Sequence, residues 1–313
     1  LKKPEILVIT PVYAPTLAVL EREFVVHKLW EASDADAYIK TVSANVRGVV
    51  TTGLVGCGRR YIEALPQLEI IACFGEGDDT LDLAAAQEHG VVVTNTRNSI
   101  IETVADLALG LLLATMRRIA ACDRFVRAGK WQAGPPVLGS GLTGKTCGIV
   151  GLGKIGASLA RRVAACGMSV CYHGPREKAG AGYPYFADLE AMARAADCLV
   201  VSCPNTPATH KMIDARILNA LGADGFLVNV ARGAIVDEQA LIAALRDDRI
   251  AGAGLDVFWD EPQVPAELKA MENVVLVPHI GSYTREIRDE RSAMLLASVR
   301  AHFAGKPVLT RLV

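Results

Sequence analysis

Thr146-Cys-Gly-Ile-Val-Gly151-Leu-Gly153-Lys-Ile-Gly156 carries the strongest structural signal in the chain. A short apolar run ends in Gly151-x-Gly153-x-x-Gly156, and a helical pattern begins at once. Ile155, Leu159, Val163 and Cys166 fall on one helical face, and Gly167 is its stop. The glycines have separate tasks. Gly151 permits the tight strand-to-helix turn, Gly153 lets a pyrophosphate approach the backbone, and Gly156 lets the helix lie close on the strand. The unpaired N–H groups and positive dipole end of the new helix would then face the phosphates. The competing reading of the spacing alone is a glycine-rich turn in an ordinary βα unit.

Downstream of this turn, strand-like runs recur near 146–151, 168–172, 198–203, 226–230, 251–257 and 273–278, with helices between them. Six such strands fit a doubly wound dinucleotide-binding sheet. Upstream, Ile6–Ile9, Gly48–Thr52, Ile70–Phe74 and Val91–Asn95 are short, β-branched and bounded by turn residues. Leu17–Glu23, Tyr61–Leu65 and Leu81–Glu88 suit helices between them. The expected fold class is therefore α/β, with two doubly wound parallel-sheet domains. One long helical pattern, from about Ile100 to about Arg127, is apolar nearly all round over Ala105–Ala114. Such a helix needs burial on several sides, at a domain junction or a subunit contact. The Gly- and Pro-rich stretch Ala128–Gly144 reads as a loop. A last helix, about Arg285–Phe303, lies beyond the sixth strand and is expected to return to the first domain, making that domain discontinuous.

At 313 residues, 51% of them hydrophobic, the chain can build two cores. Its 33 basic and 34 acidic residues give no electrostatic case for nucleic acid or an anionic membrane. The uncharged apolar stretch Leu107–Met116 is too short to span a bilayer. The opening Leu-Lys-Lys-Pro runs straight into a strand and shows no secretory signal. Eight cysteines form no CxxC pair and no Cys/His cluster with zinc spacing. A reducing cytoplasm and no metal are the expectation.

In an open α/β sheet, ligands bind beyond the carboxyl ends of the strands. There the fourth, fifth and sixth strands of the second domain deliver Asn229-Val-Ala-Arg232-Gly233, Asp256-Val-Phe-Trp-Asp-Glu261-Pro262 and Pro278-His279-Ile-Gly-Ser282. For a 2-keto or 2-hydroxy acid, Arg232 can clamp the carboxylate bidentately and polarise the neighbouring carbonyl. His279 can give the proton to the developing alkoxide, or remove it in reverse. Glu261 would hold the imidazole in one orientation and favour its protonated form. Asp256 either fixes the loop or bonds the nicotinamide side. Taken singly, each has a bland reading as a surface ion pair, a turn residue or a structural histidine.

At these residues the chain resembles the D-isomer-specific 2-hydroxyacid dehydrogenases. The motifs are Gly148–Gly156, Val228–Asp237, Ala253–Pro262 and Asn273–Ser282, with Gly75-x-Gly77-x-Asp79 and Leu81-Asp82 in the first domain. The resemblance implies a Rossmann dinucleotide-binding domain over 99–284 and a flavodoxin-like substrate domain over 1–98 and 285–313. It implies Arg232, Glu261 and His279 as the catalytic Arg, Glu and His. It extends the cofactor-binding set to Gly151, Leu152, Gly153, Lys154, Ile155, Gly156, His173, Arg176, Pro204, Val230, Ala231, Asp256 and Ser282. For the substrate it implies Leu54, Gly75, Glu76 and Gly77 beside Arg232 and His279. Leu54 offers an apolar wall, and Trp259 another. A homodimer through the helix near 100–127 is also implied. The form is most similar to the glyoxylate/hydroxypyruvate reductases within the family, and Pro278 stands where formate dehydrogenases have Gln.

NAD enzymes place an acid about 20 residues beyond the glycines to bond the ribose hydroxyl. Here the second strand ends Tyr172-His173-Gly174-Pro-Arg176-Glu-Lys178, with no acid at its tip. His173 and Arg176 would welcome a 2′-phosphate, so NADP(H) is preferred and NAD(H) remains possible. The alternative is that Arg176 and Lys178 belong to a solvated turn. Two departures from the family stand out. Glu76 occupies a position usually neutral, in the loop whose N–H groups would receive the substrate carboxylate, and Arg97-Asn98 replaces Pro-Gly. Glu76 is expected either to point to solvent or to pair with a cation such as Arg97. The reading is a cytoplasmic NADPH-preferring reductase of glyoxylate and hydroxypyruvate, with an arylpyruvate as the next substrate. A nucleotide-sensing co-regulator of the same fold is the alternative class.

Overall fold

The computed structural model describes residues 2–97 and 100–313. Asn98 of the expected Arg97-Asn98 departure lies outside the described residues. The chain divides into two compact units, Leu1–Ile100 with Thr284–Val313, and Ile101–Tyr283.

The first unit contains β1 (Glu5–Val8), α1 (Ala14–Glu23), β2 (Val25–Lys28), α2 (Ala35–Val42), β3 (Val46–Thr52), α3 (Arg59–Ala64), β4 (Ile70–Phe74), α4 (Leu83–Glu88) and β5 (Val92–Thr94). Its five strands are all parallel, in the order β2-β1-β3-β4-β5. Every residue of β4 is buried, as expected for a parallel strand covered on both faces. Asp34 and Asp82 cap α2 and α4, accepting from the N–H of Ala37 and Ala85 at 3.0 and 2.8 Å. The order is flavodoxin-like, with its direction switch between β1 and β3.

The second unit contains α5 (Ile101–Met116), α6 (Ile119–Arg127), β6 (Thr146–Val150), α7 (Lys154–Ala165), β7 (Ser169–His173), β8 (Tyr185–Phe186), α8 (Leu189–Ala195) and β9 (Cys198–Val201). It continues through α9 (Ala215–Leu221), β10 (Phe226–Asn229), α10 (Glu238–Arg246), β11 (Gly252–Leu255), α11 (Ala266–Ala270) and β12 (Val274–Leu276). The sheet order is β12-β11-β10-β9-β6-β7-β8, again all parallel, with the switch between β6 and β9. This is the doubly wound dinucleotide order with one strand added beyond the sixth. The last helix, α12 (Arg285–Phe303), packs on β4 and α1 of the first unit.

The architecture agrees with the expected α/β class of two parallel-sheet domains. Three local expectations need correction. The sequence reading omits β2 and β8, which are edge strands only partly buried and so carry no continuous apolar run. The single helix over 100–127 is two helices, broken where Arg118 adopts a left-handed backbone at φ 54°. Two consecutive arginines are good helix formers, so nothing in the composition announces the break. Within α5, Val104, Ala105, Ala108, Leu111, Leu112, Thr115 and Met116 are buried within its own unit. The helix packs on α7, β10, β11 and β12. Gly254 admits it so closely that a Cβ there would lie 2.7 Å from Thr115 Oγ1. That sheet accounts for one face of the helix, while Leu107, Leu109 and Leu113 are only partly buried. By contrast, α6 buries none of its residues. Among the described residues no helix is long and apolar enough to cross a membrane.

Candidate active site

The glycine turn joins β6 to α7 and has the geometry that the spacing predicts. Gly151 has φ 98°, and a Cβ on it would lie 2.7 Å from the Cys203 backbone. A Cβ on Gly156 would lie 2.3 Å from the Gly151 carbonyl, which leaves only glycine at that helix–strand crossing. Gly153 differs, since nothing lies within 4 Å of where its Cβ would be. Open space there, directly before the first N–H groups of α7, fits a pyrophosphate approaching backbone. Leu152 is buried, Ile155 half-buried and the Lys154 side chain exposed. A groove of about 510 Å³ beside the turn is lined by Gly153, Lys154, Ala157, Arg161, Lys178 and Tyr183 among others.

At the tip of β7, the His173 Nδ1–H donates to the Phe186 carbonyl at 2.9 Å, tying β7 to β8. Arg176 is exposed. Lys178, read from sequence only as part of a turn, reaches back: its Nζ donates to the Leu152 carbonyl at 2.5 Å. Its own N–H donates to the Tyr172 hydroxyl at 2.8 Å. A lysine beyond a strand end gives no sequence signal of that reach. The chain's positive charge beside the glycine turn thus includes a residue that the spacing argument passed over.

The remaining strand ends form a tightly bonded group. Pro204 follows β9 and is exposed, while Val230 and Ala231 after β10 are buried. The Asn229 side chain donates to the Arg232 carbonyl and accepts from the Ala231 N–H, both at 3.0 Å, and so shapes the turn that presents Arg232. Gly233 then meets the chain beyond β11, where its Cβ would lie 2.1 Å from the Phe258 carbonyl carbon. The Arg232 Nη1 donates to the Ala231 carbonyl at 2.8 Å.

His279, beyond β12, has a left-handed backbone at φ 53°. Its Nδ1–H donates to Glu261 Oε2 at 2.7 Å, which turns Nε2 away from the pair. The other Glu261 oxygen accepts from the Phe258 N–H at 3.0 Å. Burial pushes the Glu261 carboxyl up, but the bonds from His279 and Phe258 and the charges of His279 and Arg232 outweigh it, and it lies below its ordinary value. The structure therefore brings Glu261 and His279 into contact, with the Arg232 charge close enough to act on Glu261.

Of the two sequence alternatives for Asp256, the structure places the carboxylate on the loop. It is 1% exposed and accepts from the N–H groups of Ile280 and Gly281 at 2.6 and 3.0 Å. Burial holds its pKa above the ordinary value despite these bonds. Ser282 follows them, half-buried. Trp259 is partly exposed and packs edge-on to the His210 ring at 5.3 Å between centroids.

In the first unit, the loops after β3 and β4 touch through glycine: a Cβ on Gly75 would lie 3.0 Å from the Gly53 nitrogen. Thr96 bonds the Gly75 carbonyl through both its N–H and its hydroxyl, and Asn95 Nδ2 donates to the Glu76 carbonyl at 2.9 Å. Gly77 is half-buried, and Leu54 is 67% exposed. Of the two alternatives for Glu76, a nearby cation fits and solvent does not, though the cation is not Arg97. Glu76 Oε2 is buried and has no hydrogen-bond partner, so it does not point to solvent. Arg97 pairs with Asp78 at 2.6 Å instead. The cation whose charge Glu76 feels is Arg291 of α12, 8% exposed, whose guanidinium burial holds below its ordinary value.

All eight cysteines are free thiols, and burial pushes Cys57 and Cys73 up to about 12. Residues 109–281 match the family model of the D-isomer specific 2-hydroxyacid dehydrogenase NAD binding domain. A glyoxylate/hydroxypyruvate reductase of Arabidopsis thaliana is 42% identical over 294 residues, 94% of each chain. A 2-ketogluconate reductase of Gluconobacter oxydans is 39% identical over 311 residues, 99% of each. The crystal structure of an NADPH-dependent glyoxylate/hydroxypyruvate reductase from Sinorhizobium meliloti, in complex with NADP and malonate, superposes with a TM-score of 0.91 at 38% identity, covering 100% of this chain and 97% of that one. With motif, strand order and near-full-length relatives in agreement, the chain belongs to the D-isomer-specific 2-hydroxyacid dehydrogenases, NAD(P)-dependent oxidoreductases of 2-hydroxy acids.

Proposed function

We propose that the chain is an NADPH-preferring reductase that converts 2-keto acids to D-2-hydroxy acids. The observation that carries the reading is the 2.7 Å bond from His279 Nδ1 to Glu261, which commits one ring nitrogen and leaves Nε2 for the substrate oxygen. The nicotinamide, when bound, supplies the hydride to the carbonyl carbon. His279 Nε2 gives its proton to the developing alkoxide, and Glu261 balances the charge and fixes the ring. Arg232 clamps the substrate carboxylate and polarises the carbonyl. Unit 101–283 holds the dinucleotide on Gly151–Gly156 and the α7 N-terminus; Val230, Ala231, Pro204, Asp256 and Ser282 shape the nicotinamide end.

NADPH preference is supported by the absence of an acid at the β7 tip and by two basic residues there, Arg176 exposed and Lys178 beside the turn. His173 supports the same loop through its bond to β8. The names of the relatives support glyoxylate and hydroxypyruvate as substrates. Steady oxidation of NADPH with a panel of 2-keto acids tests the reading. No turnover of any member, with NADPH or NADH, would overturn it.

A further inference from the structure

Trp259 sits in the turn that carries Glu261, and its ring is held from outside that turn. The bonds within the turn are local. Glu261 accepts from the Phe258 N–H at 3.0 Å, and the Gln263 N–H donates to the Asp260 carbonyl at 2.6 Å. Such bonds shape the turn but travel with it, so they do not fix it against the rest of the sheet edge. The Trp259 ring reaches across instead. The His210 ring meets it edge-on at 5.3 Å between centroids, and the Lys211 ammonium stands 5.2 Å over its face. Both partners belong to the connection after β9, which is itself knotted. There the Thr209 hydroxyl donates to the Pro204 carbonyl at 2.7 Å, and the His210 N–H to the Thr206 carbonyl at 2.9 Å. Lys211 also donates its N–H to the Ala234 carbonyl at 2.8 Å and pairs with Asp237 at 3.4 Å, which anchors it to the segment after Arg232. At 42% exposure the ring adds little to the core, so its two partners locate the turn more than they stabilise the fold.

We infer that Trp259, gripped by His210 and Lys211, is a positioning residue that sets Glu261 against His279. Glu261 must arrive 2.7 Å from an imidazole delivered by a different strand end, so the place of the turn decides whether that bond forms. The Phe258–Trp259 peptide is already pressed against the Arg232 turn, where a Cβ on Gly233 would lie 2.5 Å from the Trp259 nitrogen. The ring adds a second restraint, from the connection after β9. The inference rests on the proposed roles of His279 and Glu261 and deepens them. The sequence expectation for Trp259, an apolar wall for the substrate, makes a different prediction.

The test uses Trp259→Leu, Trp259→Phe and a double variant, His210→Ala with Lys211→Gln, which keeps the tryptophan and removes its grip. With saturating NADPH, kcat for glyoxylate is expected to fall about three- to tenfold in Trp259→Leu and in the double variant, the worth of the lost ring contacts, with KM nearly unchanged. Trp259→Phe, which keeps a ring, restores most of the loss. A loosened carboxylate makes the imidazolium easier to deprotonate, so the pH above which kcat declines moves lower in the two impaired variants. The same shift is read without turnover from the NMR titration of the His279 ring, identified with His279→Gln. Arg232 and Asp256, the other charged groups acting on the pair, are the same in every protein, so the shift reports Glu261. A His279 titration that is the same in all of them overturns the inference. If KM for larger 2-keto acids then rises in Trp259→Leu, the ring is a substrate wall; if nothing changes, it only covers the turn. Should the wild type reduce no 2-keto acid, the reductase reading falls, and the titration still decides whether Trp259 holds the pair.

Discussion

His279 is placed by its backbone before its side chain does anything. A φ of 53° is uncommon for a residue with a Cβ, and two backbone bonds from its own N–H, to Asp256 and Val277, hold it there. In the proposed mechanism His279 is the proton donor, so His279→Ala should lower kcat by about 10²–10⁴-fold in the NADPH oxidation assay. Glu261 adds a pH signature. Its carboxyl sits below the ordinary 4.5, so it contributes stability that is present above that pH and is lost as pH falls through the folded value. Thermal melts of Glu261→Gln should accordingly decline less steeply than the wild type below pH 4.5. At the β7 tip, Gly174 has open space where a Cβ would go. On the proposed NADPH preference, Gly174→Asp puts a carboxylate against the 2′-phosphate, and the ratio of kcat/KM for NADPH over NADH should drop by about tenfold or more. These residues were legible because each follows an apolar strand run that can be counted. Arg291 was not, because its partner Glu76 lies at the far end of the chain and only the fold joins them.

At the scale of elements, close approach sets the rules. Gly233 meets the carbonyl of Phe258, so Gly233→Ala must shift the turn that carries Arg232. Activity should fall by at least about 10²-fold, with a clear loss of melting temperature. The helix α12 brings Arg291 under the β4 loop, and removing one charge of a buried couple leaves the other uncompensated. Arg291→Met should cost about 3 kcal/mol in denaturant unfolding. Adding Glu76→Val should restore much of that loss, a coupling that a double-mutant cycle measures. Central strands and helices with a one-sided apolar face were readable from sequence. The edge strands β2 and β8 and the break at Arg118 were not, since partial burial leaves no pattern and a left-handed arginine has no signature.

At the scale of the whole molecule, α6 and the segment after it present an unusual share of exposed apolar side chains. Ile119, Val126, Trp131 and Val137 are more than half exposed, and Leu138 is 92% exposed. Surfaces of this kind mark association sites. Light scattering should give twice the 33.3 kDa chain mass, and Leu138→Glu with Trp131→Glu should return it toward one chain. The sequence reading expects a dimer through the whole helical stretch near 100–127, which includes α6. The structure packs α5 on its own sheet and leaves α6 with no buried residue.

Asp256 ties three neighbouring strand ends together: its N–H bonds the Asn229 carbonyl, its carbonyl receives the His279 N–H, and its carboxylate receives the next two. The imidazole is thereby indexed to the pairing of the sheet and cannot wander while the strands stay aligned. Inactivation in urea should then track loss of strand structure in the 101–283 unit, with coincident midpoints, so that turnover itself serves as a gauge of whether that sheet is intact.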